Sequence, residues 1–260
     1  MGIAELAEGG NVTGTDEVVQ QLRRMLEDYR RQRGRRPARR ARAVRTGLDA
    51  LDRTLPHGGL PTRAVTEVLF GAPGAGAMSL ALGVAGRAAG DGRPVVVVDS
   101  EGDLYPPAVA RVGLSVEQLL VIRPKRAADG VWAADQSLRC PAVGAVVVRV
   151  GKLGPSQSRR LQLAAESGDN LGLIVKPYSS RERTFAAVQI VLEPEAAGEQ
   201  ADPAGQADRV CPVRVTVLKV REGKPAAPFI VGLDDEAGFV SVQSMAVDRS
   251  SRARRRRVGA

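Results

Sequence analysis

Short, strongly apolar runs recur through the middle of this chain, and stretches with apolar residues at helical spacing separate them. The runs AVTEVLF (64–70), PVVVVD (94–99), LLVI (119–122), GAVVVRV (144–150) and LGLIV (171–175) predict strands. Windows at about 78–90, 104–112, 130–139 and 156–167 predict the intervening helices. Nearly continuous Val, Leu and Ile in each strand is what a parallel sheet covered on both faces requires. The pattern therefore predicts an α/β fold of the P-loop type, a mostly parallel central sheet flanked by helices. Beyond residue 185 the rhythm changes. AAVQIVLEP (186–194), VRVTVLKV (213–220), FIVGL (229–233) and FVSV (239–242) follow one another with no helical window between them. They predict antiparallel strands extending the sheet on its C-terminal side. EAAGEQADPAGQAD (195–208) reads as a flexible surface loop between the first two.

Upstream of the main domain the polar pattern is different again. Residues 1–15 read as disordered. From 16 to 33, Val18, Leu22, Met25 and Tyr29 form one stripe of an amphipathic helix, with Val19 and Leu26 beside it. Thr15 or Asp16 caps it, and Gly34 and Pro37 end it. The stripe needs a surface to cover, on this molecule or another, which makes those four residues candidates for partner binding. Residues 34–45 read as a linker, 46–248 as the folded domain and 249–260 as a tail.

Charge sharpens this division. The net charge is +9, but nine arginines fall between 30 and 45 and six between 249 and 257. Setting those 15 aside leaves 23 basic against 29 acidic residues, so the body is mildly acidic and wears two basic arms. Most charge runs are simply solvated. Two at opposite ends point to an anionic partner, with nucleic acid first. The candidate DNA contacts are Arg35, Arg36, Arg39, Arg40 and Arg42 in the linker and Arg254, Arg255, Arg256 and Arg257 in the tail. Aromatic residues make up 3% of the chain, so base stacking is disfavoured and the contacts are expected to go to phosphates.

Other chemistry is sparse. No apolar stretch approaches the roughly 20 residues of a membrane span. The acidic first residues lack the basic and apolar regions of a signal peptide. A cytoplasmic protein without membrane contact is expected. Cys140 and Cys211 have no metal-ligand spacing and read as buried free thiols. His57, the single histidine, has no evident nucleophile beside it and reads as a loop residue. Trp132 falls in a helical window and is expected in the core.

One stretch stands out. GAPGAGAMS (71–79) has the glycine spacing of a phosphate-binding loop, with Gly71, Gly74 and Gly76 between a predicted strand and a predicted helix. Backbone N–H groups at such a helix start cradle anions without any side chain. The Lys and Ser/Thr of the motif are nevertheless Ala77 and Met78. Ser79 lies one residue further on, a turn of about 100° around the helix. Phosphoryl transfer rests on positioning and charge stabilisation, so the loop is expected to have lost its chemistry and the protein to be no ATPase.

The order of motifs resembles the RecA superfamily. TGLDALDRTLPHGGLPTRAVTEVLFG (46–71) is similar to the lead-in to the RecA phosphate loop. GRPVVVVDSEGDLYPPAVARVGL (92–114) resembles its second strand and acidic turn, and VTVLKVREGKPAAPF (215–229) its late segment. More narrowly, LLVIRPKRAADGVWAADQSLR (119–139), VGAVVVRVGKL (143–153) and SRRLQLAAESGDNLGLIVKP (158–177) look like the ImuA proteins, RecA-like accessory factors of damage-induced mutagenesis. The resemblance covers about 44–194. It implies a magnesium-binding Asp after GAVVV, where this chain has Arg149. It implies a polar sensor of the γ-phosphate at the end of LGLIV, where this chain has Lys176-Pro177. Glu101 matches the water-activating Glu of active members, though without Lys and metal ligands it reads as a solvated carboxylate. The resemblance further implies a non-catalytic adaptor in translesion synthesis during the SOS response, without cofactor or metal. Its partners would be RecA on damaged DNA, a catalytically inactive Y-family polymerase-like protein and an error-prone DNA polymerase. Two alternatives stand beside it. An ATP-dependent RecA-like recombinase is opposed by Ala77, Met78 and Arg149 together, and a cell-division inhibitor of the SulA kind by the two basic arms and the AAPF segment.

Overall fold

In the computed structural model the described residues are 42–90, 92–195, 210–234 and 238–240, with Gln20 and Arg24. The chain divides into two units, Met1–Ala38 and Arg39–Ala260, and the elements below belong to the second. Gln20 and Arg24 are helical, within the helix predicted at 16–33. The stripe Val18, Leu22, Met25 and Tyr29 lies outside the described residues, as do the tail (249–260) and, Glu195 excepted, the segment predicted as loop (195–208).

A small hairpin-like pair opens the unit. Strand β1 (Ala43–Val44) runs antiparallel to β2 (Leu60–Pro61), with helix α1 (Asp49–Thr54) between them. The buried Asp52 carboxylate accepts from the Thr46 amide and hydroxyl, both at 2.8 Å, and so closes this turn. Neither α1 nor the pair stands out in the hydrophobic pattern, because each is only a few residues long.

The main elements follow in order: β3 (Ala64–Phe70), α2 (Ala77–Ala89), β4 (Val95–Val98), α3 (Pro106–Arg111), β5 (Leu119–Ile122) and α4 (Ala127–Arg139). Then come β6 (Ala145–Arg149), α5 (Pro155–Gly168), β7 (Leu171–Pro177), β8 (Val188–Pro194), β9 (Val210–Val220), β10 (Phe229–Asp234) and β11 (Gly238–Val240). Among the described residues β3–β11 form one sheet in the order β11-β10-β9-β8-β3-β7-β6-β4-β5. The predicted parallel strands and their helices are all present. No described helix is long and apolar enough to cross a membrane.

The late strands need one correction. β9, β10 and β11 are antiparallel, but β8 is parallel to β3 and lies directly beside it. Residues 178–187 carry the chain back along the sheet without a helix, after one short turn at Tyr178–Ser180. That crossover is pinned by backbone donors: Phe185 N–H to Ser158 Oγ at 2.9 Å and Ala187 N–H to the Val65 carbonyl at 2.8 Å. A parallel return usually takes a helix, which is why the absence of one suggested antiparallel pairing.

Strand alternation sorts the sheet into two faces. Val68, Val95, Val97, Ala145, Val147, Leu173 and Val175 join one core cluster with Leu80, Ala81 and Val84 of α2. Val96, Val98, Val146 and Ile174 alternate with them and are equally buried. On that second face Leu138 of α4 approaches so closely that a Cβ on Gly172 would stand 3.2 Å from its Cδ2. Asp135 clamps α4 to α5. Burial opposes its ionisation, yet hydrogen bonds from Arg160 and Arg139 hold its carboxyl below the usual carboxylate range.

The second face also carries a polar row. Glu67 is fully buried at the middle of β3, and Lys176 on β7 is 1% exposed and 3.2 Å from it. Thr184 Oγ1 donates to Glu67 Oε1 and Gln189 Nε2 to Oε2, each at 2.7 Å. The register explains the set: Gln189 is opposite Glu67 and Lys219 opposite Gln189, so all share a face. The Thr184 hydroxyl proton goes to Glu67, so Ser158 Oγ, 3.0 Å away, donates to Thr184. Two sequence expectations fail in this half of the molecule. Trp132 is 40% exposed, because α4 buries Val131, Ala134 and Leu138 and turns Trp132 out with Gln136 and Arg139. Cys140 is buried but Cys211 is exposed, as it lies at the start of β9, before Val213, where burial begins.

Removing one partner of a buried ion pair costs about 3–5 kcal/mol, because the other charge is stranded. Lys176→Met is expected to destabilise by that order, and Lys176→Met with Glu67→Gln by clearly less than Lys176→Met alone. Urea unfolding midpoints of the wild type and the two variants check this. A double variant as unstable as the single one contradicts it.

Candidate functional site

The glycine loop sits where the fold puts it, at the C-terminal edge of central strand β3. Gly71 N–H donates to the Leu192 carbonyl of β8 at 2.9 Å, which seats the loop between two parallel strands. Gly74 (φ 82°) and Gly76 (φ 76°) are left-handed. Gly76 is the residue preceding α2, and its carbonyl accepts from Leu80 N–H at 2.9 Å. The backbone therefore takes the turn that a phosphate loop needs.

Above it lies a cavity of about 510 Å³ lined by residues 72–79, Phe70, Asp103, Arg111, Arg149, Val175 and Leu233, among others. Ala77 is buried, and Met78 packs partly against the core cluster beneath the helix. Neither brings charge or oxygen to the cavity. Ser79 lines this cavity and also an adjoining hollow shared with Thr46, Gly83 and Arg87. The opposite wall is held by Arg149 at the end of β6. Its guanidinium is 3.1 Å from Glu101, hydrogen-bonds Asp103 and lies 5.8 Å over the Phe70 ring. Glu101 and Asp103 are about half exposed and Arg149 less so, so the cluster is partly screened and contributes about 0–1 kcal/mol per pair. Its effect is local: Glu101 is engaged by a cation rather than solvated alone.

The end of β7 departs from expectation. Lys176 does not reach the loop at all. It points to the other face of the sheet and into the polar row beneath the crossover, and Val175 is the residue that lines the cavity. Alternation decides this: Val175 shares the α2 face and Lys176 does not. A magnesium nucleotide is a poor fit to this donor set. The first helical turn gives no lysine, Met78 gives no hydroxyl, a guanidinium rather than a carboxylate stands at the end of β6, and Val175 at the end of β7 is apolar. Among the described residues no group of three or more His, Cys, Asp and Glu is placed to hold a metal ion. His57 lies in a short turn with φ 60°, 3.9 Å from Glu222 and well exposed.

Residues 28–171 match the RecA N-terminal domain. The chain belongs to the RecA N-terminal domain family. Protein RecA of Thermus thermophilus is 32% identical over 157 residues, 60% of this chain and 45% of the relative. Protein RecA of Thioalkalivibrio sulfidiphilus is 33% identical over 147 residues, 56% of this chain and 41% of the relative. The mitochondrial DNA repair protein recA homolog of Dictyostelium discoideum is 32% identical over 145 residues, 55% and 31% respectively. The matches thus span less than half the length of these relatives. They agree with the mostly parallel RecA-like sheet and with a loop built on its central strand.

Of the other predicted site residues, Arg42 is described: it is exposed, its N–H donates to Thr62 Oγ1 at 2.9 Å, and its carbonyl accepts from Thr62 N–H. Arg35, Arg36, Arg39 and Arg40 and the tail arginines Arg254–Arg257 lie outside the described residues. Reading the sequence missed Asp103 and Val175. Asp103 sits in the acidic turn DSEGD, and its pairing with Arg149 needs the neighbouring strands β4 and β6. Val175 follows from counting alternation along β7.

A residue with a Cβ in the left-handed region costs about 1–2 kcal/mol. Gly74→Ala and Gly76→Ala are each expected to destabilise by that amount whether or not anything binds the loop. Unchanged urea midpoints would show that the loop backbone tolerates other conformations.

Proposed function

We propose that this protein is a non-catalytic RecA-like adaptor of the ImuA kind. It would act in the SOS response to DNA damage, joining RecA on DNA to a catalytically inactive Y-family polymerase-like protein and an error-prone DNA polymerase. The observation that carries the reading is the cavity above the glycine loop. It has a left-handed glycine turn ahead of a helix, but Arg149, paired with Glu101 and Asp103, stands at the end of β6, and the side chains of Ala77, Met78 and Val175 bring it neither charge nor oxygen. The motif resemblance at 119–139, 143–153 and 158–177 supports the narrower assignment within the family. DNA contact in this reading runs through the arginine arms and is directed to phosphates, so its affinity falls with salt.

The adaptor reading expects no magnesium-dependent ATP hydrolysis, with or without single-stranded DNA. Ala77→Lys with Met78→Thr is expected to remain inactive, because an arginine tied to Glu101 and Asp103, not a free carboxylate, still stands at the end of β6 and Val175 still supplies no sensor. Phosphate release measured under steady state checks both proteins. Wild-type turnover that disappears in Glu101→Gln would establish an enzyme instead.

Partners are tested by affinity capture from DNA-damaged cells and by direct RecA binding. Polymerase components and RecA are expected in the captured fraction, whereas the tubulin-like FtsZ would point to a division inhibitor. RecA is expected to bind the full chain more tightly than a chain beginning at Ala43 or the variant Leu22→Asp/Met25→Asp. Equal binding by all three would remove the N-terminal helix from the interface.

A further inference from the structure

Two adjoining hollows lie away from the glycine loop and share Arg221. The larger, about 690 Å³, is open and carries Arg181, Arg183, Lys219 and Arg221 with Phe185 on its wall. The smaller, about 130 Å³, is lined mainly by apolar groups of Pro56, Pro61, Val188 and Val220, with Arg42 and Arg63 at its rim. It lies where β3 and β8 begin, at the opposite end of β3 from the loop, roughly 20 Å away at about 3.3 Å per residue.

The chemistry of the two hollows is complementary. Arg63 and Arg221 already have acids nearby, Asp169 at 3.7 Å and Glu166 at 3.6 Å. Arg181, Arg183 and Lys219 form no ion pair with an acid among the described residues. Lys219 donates to the Thr184 carbonyl at 2.9 Å. Burial, and then Arg221, push its ammonium below the ordinary lysine range, and Glu67 only partly offsets this. The cleft is thus a cationic concavity on a body that is otherwise mildly acidic. Beside it, a hollow of about 130 Å³ is comparable with cavities of about 150 Å³ that accept a single benzene-sized group.

We propose that these hollows form one docking groove for an acidic peptide segment of a partner protein, with an aliphatic side chain in the smaller hollow and carboxylates on the larger. Three features favour a peptide over a nucleic acid. Apart from His57, the smaller hollow has aliphatic and proline walls rather than the aromatic faces on which bases stack. The Phe185 ring is already covered by the Arg159 guanidinium, 5.8 Å from its centroid. Glu182, paired with Lys152 at 3.0 Å, and Glu222 also line the hollows and interrupt the cationic surface that a uniform run of phosphates would need, while a peptide can place its acids between them. Arginine clusters reading acidic motifs are a recurring mode of peptide recognition. The groove is independent of the adaptor reading, and its test does not involve RecA or a polymerase.

Fluorescence anisotropy with the full-length protein tests it, using three labelled probes. They are a 12-residue Asp/Glu peptide with one central Leu, the same peptide with Ser for Leu, and a 12-nucleotide oligothymidine. The Leu peptide is expected to bind at least ten-fold more tightly than the Ser peptide. Lys219→Gln/Arg183→Gln should weaken it at least ten-fold while leaving oligothymidine binding unchanged. Val220→Glu should erase the preference for Leu, with circular dichroism confirming that it folds; if it does not fold, the Lys219/Arg183 double variant and the Leu/Ser comparison carry the test. Equal binding of the two peptides, or no binding of either, overturns the proposal. So does loss of oligothymidine binding in the Lys219/Arg183 variant, which would assign the groove to a phosphate backbone.

Discussion

Glu67 and Lys176 are both withdrawn from water on one face of the sheet, and two charges there are tolerable only if their remaining protons and lone pairs find partners. Those partners come from everywhere that must converge on β3. Lys176 is supplied by β7, Gln189 by β8 and Thr184 by the crossover, which Ser158 of α5 holds in turn. The parallel seat of β8 beside β3 and the helix-free return at 178–187 are therefore two aspects of one requirement. A slip of one residue in either neighbour would turn Gln189 or Lys176 to the other face. The loop at 71–76 inherits this precision, because Gly71 is tied to Leu192 of the strand so placed.

The same alternation that buries Lys176 keeps it from the glycine loop. On β7, successive residues serve opposite faces, so one strand end contributes Val175 to the cavity and Lys176 to the buried row. At the end of β6, Arg149 faces the cavity and draws Glu101 and Asp103 together. The loop's backbone thus makes the glycine turn, while the side chains of Ala77, Met78 and Val175 bring neither charge nor oxygen to it. Gly74 and Gly76 meet a local demand of the chain, a left-handed turn into α2, and that demand persists with or without a phosphate. Glycine spacing in such a motif is evidence of a turn first and of chemistry only when the side chains agree.

What could be read beforehand follows from the range of each interaction. The strands and helices of the body were legible because each is set by periodicity within a dozen residues, and AVTEVLF and LLVI coincide with β3 and β5 to the residue. The glycine turn between strand and helix was legible because its residues are contiguous. Trp132 was misplaced although its spacing to Gln136 and Arg139 already put it on a polar stripe. The direction of β8 was beyond reach, since it depends on Thr184, Ser158 and Glu67 meeting across more than a hundred positions. So was the cationic groove: Arg181 and Arg183 come from the crossover, Lys219 and Arg221 from the end of β9, and nothing in either segment resembles a charge run.

These distances bear on what a RecA-like body can do without phosphate chemistry. In a protein that hydrolyses nucleotide, the γ-phosphate is a ligand that biases one conformation, and its loss resets the equilibrium. A ligand can shift an equilibrium only by its differential affinity for the two states. Arg149 is paired with Glu101 and Asp103, charges that belong to the chain itself. On the adaptor reading no ion leaves in a cycle, and the cavity would offer no step at which stored binding energy is released. Engagement of such a body with partners is then governed by their concentrations, by the salt that screens its arginines and by the number of surfaces occupied at once. On that reading the scaffold would time its action through the supply of its partners rather than through a clock of its own.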